Sequence, residues 1–372
     1  MRWLSDNAVD RLRQEADLPD LGGSKYMVLH KLGSGGMGAV YLAQDVDLGR
    51  KVAVKVMNVA DSTGALASRM MREARIVALL EHPSIVPIHD VGALEDGRVF
   101  YAMKLVQGAR LDQCAGGGAS LSDMLRIFQK VCEAVAFAHS RGVIHRDLKP
   151  ENIMVGPFGE VLVMDWGVAK VLSDGRTGCA STPEDARSDL RALEDADIIA
   201  TLPLAAGSPG DTSGGTIIGT PAYMPPEQAR GEVELLDERA DVYALGAILY
   251  FLLTGRPPYE FDGAAREGVR EDAREQAGSR RPVRPRQIDP KIPQAIEAIC
   301  MKAMSESRND RYASAEEIAG DVVKFLDGEP VSAYRENVFE KTGRWLNKNR
   351  FIVLLIVAYL IMRLIVFFAA GR

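Results

Sequence analysis

The chain has 372 residues, of which 47% are apolar and 26% are charged, and its formal net charge at pH 7 is −6. This length exceeds one average domain, so two or three structural units are expected, and the apolar content is typical of a globular protein with a sizeable core. The acidic balance argues against nucleic acid as a partner. The four widely spaced cysteines indicate reduced thiols rather than a metal cluster.

Short β-branched runs separated by turn residues occupy the chain from Tyr26 to about Val106 and predict a small antiparallel sheet. Within this region, LASRMMREARIVALLEH predicts one helix. After Gly108 the pattern becomes helical, with apolar residues at helical spacing in MLRIFQKVCEAVAFAHS. The segment DVYALGAILYFLLTG is apolar all round but too short to cross a membrane, so it predicts a buried central helix.

A glycine-rich turn, KLGSGGMGAVYLA, joins two of the predicted strands. Gly33, Gly35 and Gly38 lack side chains, so backbone N–H groups there can approach phosphate oxygens, and Val40 can cover a base. A dinucleotide-binding fold uses a similar GxGxxG pattern, but it leads into a helix with an acidic residue about twenty positions later. Here a strand follows, which disfavours that alternative.

Lys55 and Glu73 are two isolated charges in apolar surroundings. Lys55 is the one cation in the strand VAVKVM, and Glu73 lies in the middle of the predicted helix. Each alone fits a solvent-facing surface residue. Together they predict a Lys–Glu pair that would direct the ammonium group at phosphate oxygens.

The segment VIHRDLKPENIMVGPFGEVLVMDWGVAK places Asp147, Asn152 and Asp165 on turns between short apolar runs. Any one of these residues alone could be a turn former or helix cap. In this order, with the glycine-rich turn and Lys55, they resemble the motifs of protein kinases. The chain is most similar to the bacterial, eukaryotic-like Ser/Thr kinases anchored by a single membrane span, over roughly residues 26–326.

The resemblance implies an α+β, bilobal protein-kinase fold, with a small β-rich N-lobe and a larger helical C-lobe, plus one C-terminal transmembrane helix. The implied organisation is an N-terminal extension (1–25), a kinase domain (26–328), a juxtamembrane segment (329–350) and a membrane span (351–370). The N-lobe would cover 26–106 and the C-lobe 107–328, with a long activation segment at 165–227.

The resemblance also implies ATP and Mg²⁺ as cofactors. Asp147 would accept the proton of the attacking hydroxyl, and Lys149, Lys55 and Glu73 would complete the catalytic set. Asn152 and Asp165 offer the hard oxygen ligands that Mg²⁺ prefers. The implied nucleotide contacts are Leu32, Gly33, Ser34, Gly35, Gly36, Met37, Gly38, Val40, Ala53 and Lys55. Lys149, with Thr220 as its usual companion, favours Ser/Thr over Tyr acceptors.

Two motifs depart from the usual kinase pattern. Trp166 replaces the usual Phe of DFG, and we expect it to pack inward beside His145 without removing a catalytic atom. Pro225 replaces the usual Ala of APE, which gives PPE. Glu227 is retained, and Arg311 is its expected buried partner. By the same resemblance, Asp241 is expected to brace the catalytic loop.

The predicted function is an ATP-dependent Ser/Thr protein kinase that acts on protein substrates in transmembrane or membrane-proximal signalling. The alternative is a membrane-tethered pseudokinase scaffold, which would predict the loss of Lys55, Asp147 or Asp165. A small-molecule kinase lacks support, because GTPAYMPPEQ resembles a peptide-docking loop.

Arg146 precedes Asp147 and could pair with a phosphate in the activation segment. We therefore expect autophosphorylation, with Thr212, Ser213 and Thr216 as candidates, and by analogy a homodimer in which one copy phosphorylates the other. The residues from about 173 to 216 are mostly small or polar and predict a long loop, for which the sequence offers no physical account.

The C-terminal segment FIVLLIVAYLIMRLIVFFAA is interrupted only by Arg363. Its fourteen Leu, Ile, Val and Phe residues contribute roughly −4 to −8 kcal/mol to membrane insertion, and one central Arg costs about +2.5 to +3.5 kcal/mol. This favours a single-pass span over a buried or interfacial helix. Basic residues precede the segment, so the kinase domain is expected on the cytoplasmic side. Either the chain is tail-anchored, or a sensor domain is absent from this sequence.

Overall fold

The computed structural model describes residues 18–34, 38–57, 64–114, 119–171, 221–259, 282–338, 340–342 and 350–370. Several predictions fall outside these ranges: those for Gly35, Gly36, Met37, Thr212, Ser213, Thr216 and Thr220, and the loop at 173–216.

A five-stranded antiparallel sheet forms the first half of the fold, as the β-branched runs predicted. Its order is β1-β2-β3-β5-β4, and its strands are β1 (Tyr26–Ser34), β2 (Gly38–Asp45), β3 (Arg50–Met57), β4 (Ile88–Ala93) and β5 (Val99–Lys104). In the central strand β3, Lys55 lies opposite Val40 of β2 and Tyr101 of β5. This register places Lys55 between Val40, which follows the glycine-rich turn, and Tyr101.

Helix α1 (Ala65–Leu79) packs against this sheet. A small cluster of Met57, Met70, Ala74 and Tyr101 holds its first half, whereas Ile76 and Val77 belong to the large core of the second half of the fold. Gly64 precedes the helix with φ of 73°, and the helix start has no side-chain cap. Glu73 is carried on the buried face, with 3% of its surface exposed.

The second half of the fold is helical. Its elements are α2 (Leu111–Cys114), α3 (Leu121–Ser140), α4 (Pro226–Ala229), α5 (Glu238–Thr254), α6 (Pro285–Ile288), α7 (Gln294–Ala303) and α8 (Ala315–Leu326). Ser120 caps α3, and its Oγ accepts a hydrogen bond from the backbone N–H of Asp123. The arrangement confirms the predicted small β-rich lobe and larger helical lobe.

Helix α5 is the predicted central helix. Every residue from Ala240 to Phe251 is buried, so no polar face is needed. Gly246 allows the close approach of α7 and the residue that follows it, because a Cβ there would lie 2.8 Å from Ala303 and from Met304. The helix ends at Gly255, whose φ of 70° favours glycine.

Short strand pairs position the loops of the second half. Strands β6 (Ala109–Arg110), β8 (Ile153–Val155) and β9 (Val161–Val163) form one small sheet, and β7 (Val143–Ile144) pairs with β10 (Lys170–Val171). The loop carrying Asp147 and Asn152 therefore lies between β7 and β8, and Asp165 follows β9.

The chain remains attached to the helical half after α8. Asp321, 1% exposed, accepts hydrogen bonds from Tyr312 Oη (2.8 Å), from Ser332 N (2.9 Å) and Oγ (2.7 Å), and from Ala333 N (3.2 Å). Val331 is buried in the large core. We call this contact set the Asp321 clamp. The domain boundaries given above stay a prediction.

Helix α9 (Arg350–Ala370) covers the predicted membrane span, and most of its described apolar side chains are exposed. Within the described part of the chain, no helix is long and apolar enough to span a membrane. In α9, the described side chains end at Arg363.

Candidate active site

A cleft of about 700 Å³ lies between the five-stranded sheet and the helical half. The described residues predicted to contact nucleotide all line it: Leu32, Gly33, Ser34, Gly38, Val40, Ala53 and Lys55. Asp147, Asn152 and Asp165 line the same cleft. The fold therefore brings together residues that are more than a hundred positions apart in the sequence.

Glycine is sterically required at one described position of the glycine-rich turn. A Cβ at Gly38 would lie 2.5 Å from the backbone oxygen of Val56, so β2 could not pair as closely with β3. At Gly33 a Cβ would meet nothing within 4 Å. No neighbouring atom therefore requires glycine at position 33. A bound phosphate would require it, because a backbone without a side chain lets phosphate approach closely.

Lys55 and Glu73 form the predicted ion pair. Lys55 Nζ lies 2.8 Å from Glu73 Oε1 and 3.0 Å from Oε2, and 3.7 Å from Asp165 Oδ1. Burial alone lowers the pKa of Lys55, but the charges of Glu73 and Asp165 outweigh it, and its pKa lies above the usual value. Lys55 is therefore a fixed cation at the inner end of the cleft.

Tyr101 is a member of this cluster that the sequence analysis did not identify. Its hydroxyl donates a 2.8 Å hydrogen bond to Glu73 Oε1. Burial and the neighbouring Glu73 raise the pKa of Tyr101 well above its usual value, so the hydroxyl keeps its proton. No pattern local to Tyr101 indicates this role, because it depends on the strand pairing that sets Tyr101 beside Lys55.

The loop between β7 and β8 carries Asp147, whose Oδ2 lies 2.8 Å from Lys149 Nζ. Asn152 Nδ2 donates to the Asp147 backbone oxygen at 2.9 Å. These contacts fix the Asp147 carboxylate at the cleft, beside a cation. A carboxylate in such a position can accept a proton from a bound hydroxyl.

Asp241 braces this loop, as predicted. Its carboxylate accepts the backbone N–H groups of His145 (2.7 Å) and Arg146 (2.9 Å) and lies 2.8 Å from His139 Nε2. Burial raises the pKa of Asp241, but the His139 contact and the N–H of His145 outweigh it, so the pKa is lowered. Arg146 adopts a left-handed φ of 67°, which is costly for a non-glycine residue and which these bonds support.

Asp165 also adopts a left-handed conformation, with φ of 60°, and its side chain is 53% exposed toward the cleft. Because the Asn152 Nδ2 group donates to Asp147, its amide oxygen is left to serve as a ligand. An amide and a carboxylate oxygen fit Mg²⁺, which takes its remaining ligands from water and phosphate. In the described ranges no three His, Cys, Asp or Glu side chains form a metal-binding group.

Trp166 packs inward, as expected. It is 1% exposed, and its ring centroid lies 4.5 Å from that of His145. Its Nε1 has no hydrogen-bond partner among the described residues. Gly167 follows, and a Cβ there would lie 3.1 Å from Glu73 Oε2, so a side chain would press on the ion pair.

Glu227 and Arg311 form the predicted buried pair, with two hydrogen bonds of 2.6 and 2.8 Å. Arg311 also donates to the backbone oxygens of Ser305 and Arg239. Next to Glu227, Gln228 Nε2 donates to the Arg146 oxygen at 2.9 Å. Helix α4 is thereby attached to the loop that carries Asp147 and to the segment that carries Arg311.

Comparisons with known proteins agree with this arrangement. Residues 26–188 match the family described as protein kinase domain. The chain is 35% identical over 320 residues to serine/threonine-protein kinase PknD of Chlamydia felis, which covers 82% of this chain and 31% of that protein. It is 34% identical to serine/threonine-protein kinase PknB of Mycobacterium leprae, over 81% of this chain and 43% of that protein.

A third relative is serine/threonine-protein kinase pkn3 of Myxococcus xanthus, which is 36% identical over 299 residues. That alignment covers 78% of this chain and 48% of the relative. The chain thus spans between about a third and a half of the length of these three relatives.

Proposed function

The chain carries a protein kinase domain similar to those of bacterial serine/threonine kinases, and on this premise we propose that it transfers the γ-phosphoryl group of ATP to serine and threonine hydroxyls of proteins. The observation that carries the proposal is the assembled cleft. It sets the Lys55–Glu73 pair within 3.7 Å of Asp165, and it also contains Asp147 with its Lys149 partner.

The proposed reaction exchanges one P–O bond for another. The acceptor hydroxyl oxygen forms a bond to the γ-phosphorus, the bond to the bridging oxygen breaks, and ADP leaves. Asp147 takes the hydroxyl proton, and Lys149 stabilises negative charge beside it. Lys55, held by Glu73, binds phosphate oxygens. Asn152 and Asp165 would hold Mg²⁺, which would supply further positive charge beside the phosphates.

The pseudokinase alternative receives no support from the residues. Lys55, Asp147 and Asp165 are all present, and they meet in one cleft. A scaffold that bound nucleotide without transferring phosphate would not need a carboxylate beside the acceptor position.

The first test is phosphoryl transfer by the purified full chain in detergent. With Mg²⁺ and ATP labelled at the γ-phosphate, label should enter a generic protein substrate as phosphoserine and phosphothreonine, and EDTA should abolish it. The physical reason is that phosphate charge must be neutralised before the acceptor oxygen can approach. Binding of ATP without any transfer would instead identify a scaffold.

The same assay tests autophosphorylation, which we propose for the segment between residues 173 and 220. The support is Arg146, which lies at the catalytic loop and could bind a phosphate from this segment. Mass spectrometry of the chain after incubation should locate phosphate there, and a rate that rises with protein concentration would indicate transfer between two copies. Phosphate found only elsewhere would remove this part of the proposal.

We further propose that α9 anchors the domain to the cytoplasmic membrane, with the kinase domain on the cytoplasmic side. The apolar sequence of residues 351–370 supports this, as does the exposure of Phe351, Leu354 and Leu355, each at least 63% exposed. Contiguous exposed apolar side chains of this kind mark protein or membrane interaction sites. Basic residues before the helix support the orientation.

The membrane proposal predicts that the full chain stays in the membrane pellet after alkaline carbonate extraction. Replacing Leu355 and Leu360 with Arg should release it, because each central Arg adds about +2.5 to +3.5 kcal/mol to insertion. The matched control places the same two arginines at Val46 and Leu48, which are exposed on the domain surface and should leave the pellet fraction unchanged. Carbonate release of the wild-type chain would indicate an interfacial helix instead.

A further inference from the structure

Tyr101 shares the carboxylate oxygen that Lys55 uses. Tyr101 Oη and Lys55 Nζ each lie 2.8 Å from Glu73 Oε1, and the ring of Tyr101 lies with its centroid 5.5 Å from Lys55 Nζ. The Tyr101 side chain is 4% exposed and belongs to the small cluster that holds the first half of α1. Tyr101 therefore contacts both members of the ion pair, and among the described residues its hydroxyl donates to the helix at Glu73.

The start of α1 lacks two features that commonly stabilise a helix N-terminus. Its start carries no side-chain cap, and its first turn contains no acidic residue to favour the helix dipole. Its second half is fixed in the large core by Ile76 and Val77. A rotation about that fixed half would carry Glu73 away from Lys55, so the hydrogen bonds that Glu73 accepts from Lys55 and Tyr101 oppose such a rotation.

A bound nucleotide would bring new hydrogen-bond acceptors to Lys55. Its ammonium has three donors and no acceptor, and phosphate oxygens compete with Glu73 for them. Glu73 is 3% exposed, and a buried carboxylate that loses donors is costly. The hydroxyl of Tyr101 is a second donor that does not depend on Lys55, so it can hold Glu73 while Lys55 turns toward phosphate.

We propose that Tyr101 is a positioning residue whose hydroxyl fixes Glu73, and through it α1, in the arrangement that presents Lys55 to the nucleotide. The role in catalysis rests on the proposed phosphoryl transfer, whereas the seating of α1 does not.

The experiment compares Tyr101→Phe with wild type in the full chain, because this change removes one hydroxyl and keeps the ring. Loss of a hydrogen bond to a charged group should increase local opening of α1 about tenfold, measured as faster amide hydrogen exchange across Ala65–Leu79. The kcat/KM for ATP should fall in the same variant. Tyr26→Phe is the matched control, because Tyr26 lies in the same sheet and donates to Asp90 at 3.1 Å, away from the cleft.

A Glu73→Ala background separates positioning from packing. Without the carboxylate the hydroxyl has nothing to hold, so adding Tyr101→Phe should change neither α1 exchange nor the residual rate. Equal effects of Tyr101→Phe in both backgrounds would overturn the proposal, and so would unchanged α1 exchange in the single variant. If the wild-type chain transferred no phosphate, the exchange measurement would still decide the seating of α1, so the two failures are distinguishable.

Discussion

Replacing Asp147 with Asn should lower the rate of phosphoryl transfer about 10²- to 10⁴-fold, the range contributed by a positioned general base. Asn has nearly the same size, so it can keep the contacts to Lys149 and Asn152, but its amide cannot take a proton from the acceptor hydroxyl. The measurement is the initial rate at saturating ATP and protein substrate.

The fold and the nucleotide site should survive this change, because the proposed metal ligands Asn152 and Asp165 are untouched. The rise in melting temperature caused by ATP and Mg²⁺ should therefore persist in Asp147→Asn. Asp96→Asn is the control: Asp96 is an exposed carboxylate that pairs with Arg98 at 2.7 Å in the turn between β4 and β5, and its loss should leave the rate unchanged. Equal rates for Asp147→Asn and wild type would remove Asp147 from the proposed role.

Replacing Glu227 with Gln should destabilise the domain by about 3 to 5 kcal/mol, because it leaves the charge of Arg311 buried without its partner. The Arg311 side chain is 0% exposed and makes two hydrogen bonds to this carboxylate. Its remaining acceptors are neutral backbone oxygens, which cannot balance a full charge. Urea unfolding followed by circular dichroism would give the change in free energy.

The exposed pair of Arg230 and Glu232 provides the matched control. These side chains are 45% and 39% exposed and lie 3.2 Å apart, so Glu232→Gln should cost at most about 1 kcal/mol. Similar losses for both variants would show that the buried pair contributes no more than a surface contact. A large loss for Glu227→Gln alone would establish it as the main polar attachment of α4.

Much of this architecture could be predicted from local patterns. The alternation around Lys55 predicted a strand, the spacing around Glu73 predicted a helix, and the two were expected to pair; the distance is 2.8 Å. The continuous apolar run that follows Asp241 predicted a central buried helix, and α5 is buried through Phe251. These features follow from periodicity within one element, which the sequence displays directly.

Features that depend on contacts between distant elements were less accessible. In the sequence, Tyr101 is typical of any residue in a β-strand. Its hydrogen bond to Glu73 depends on how β5 pairs with β3 and where α1 packs. The left-handed conformations of Arg146 and Asp165 have no local signal either, since neither is glycine. Arg146 is held by Asp241, 95 positions later in the chain.

If α9 lies in a bilayer as proposed, the Asp321 clamp limits how far the cleft can lie from the membrane surface. The chain is fixed to the domain through Ala333, and sixteen residue steps separate Tyr334 from Arg350. Even fully extended, these steps reach at most about 55 Å, so the domain stays within roughly one protein diameter of the lipid surface. Proteins tethered to the same leaflet would then meet the cleft at a high local concentration, and a freely diffusing protein would have no such advantage.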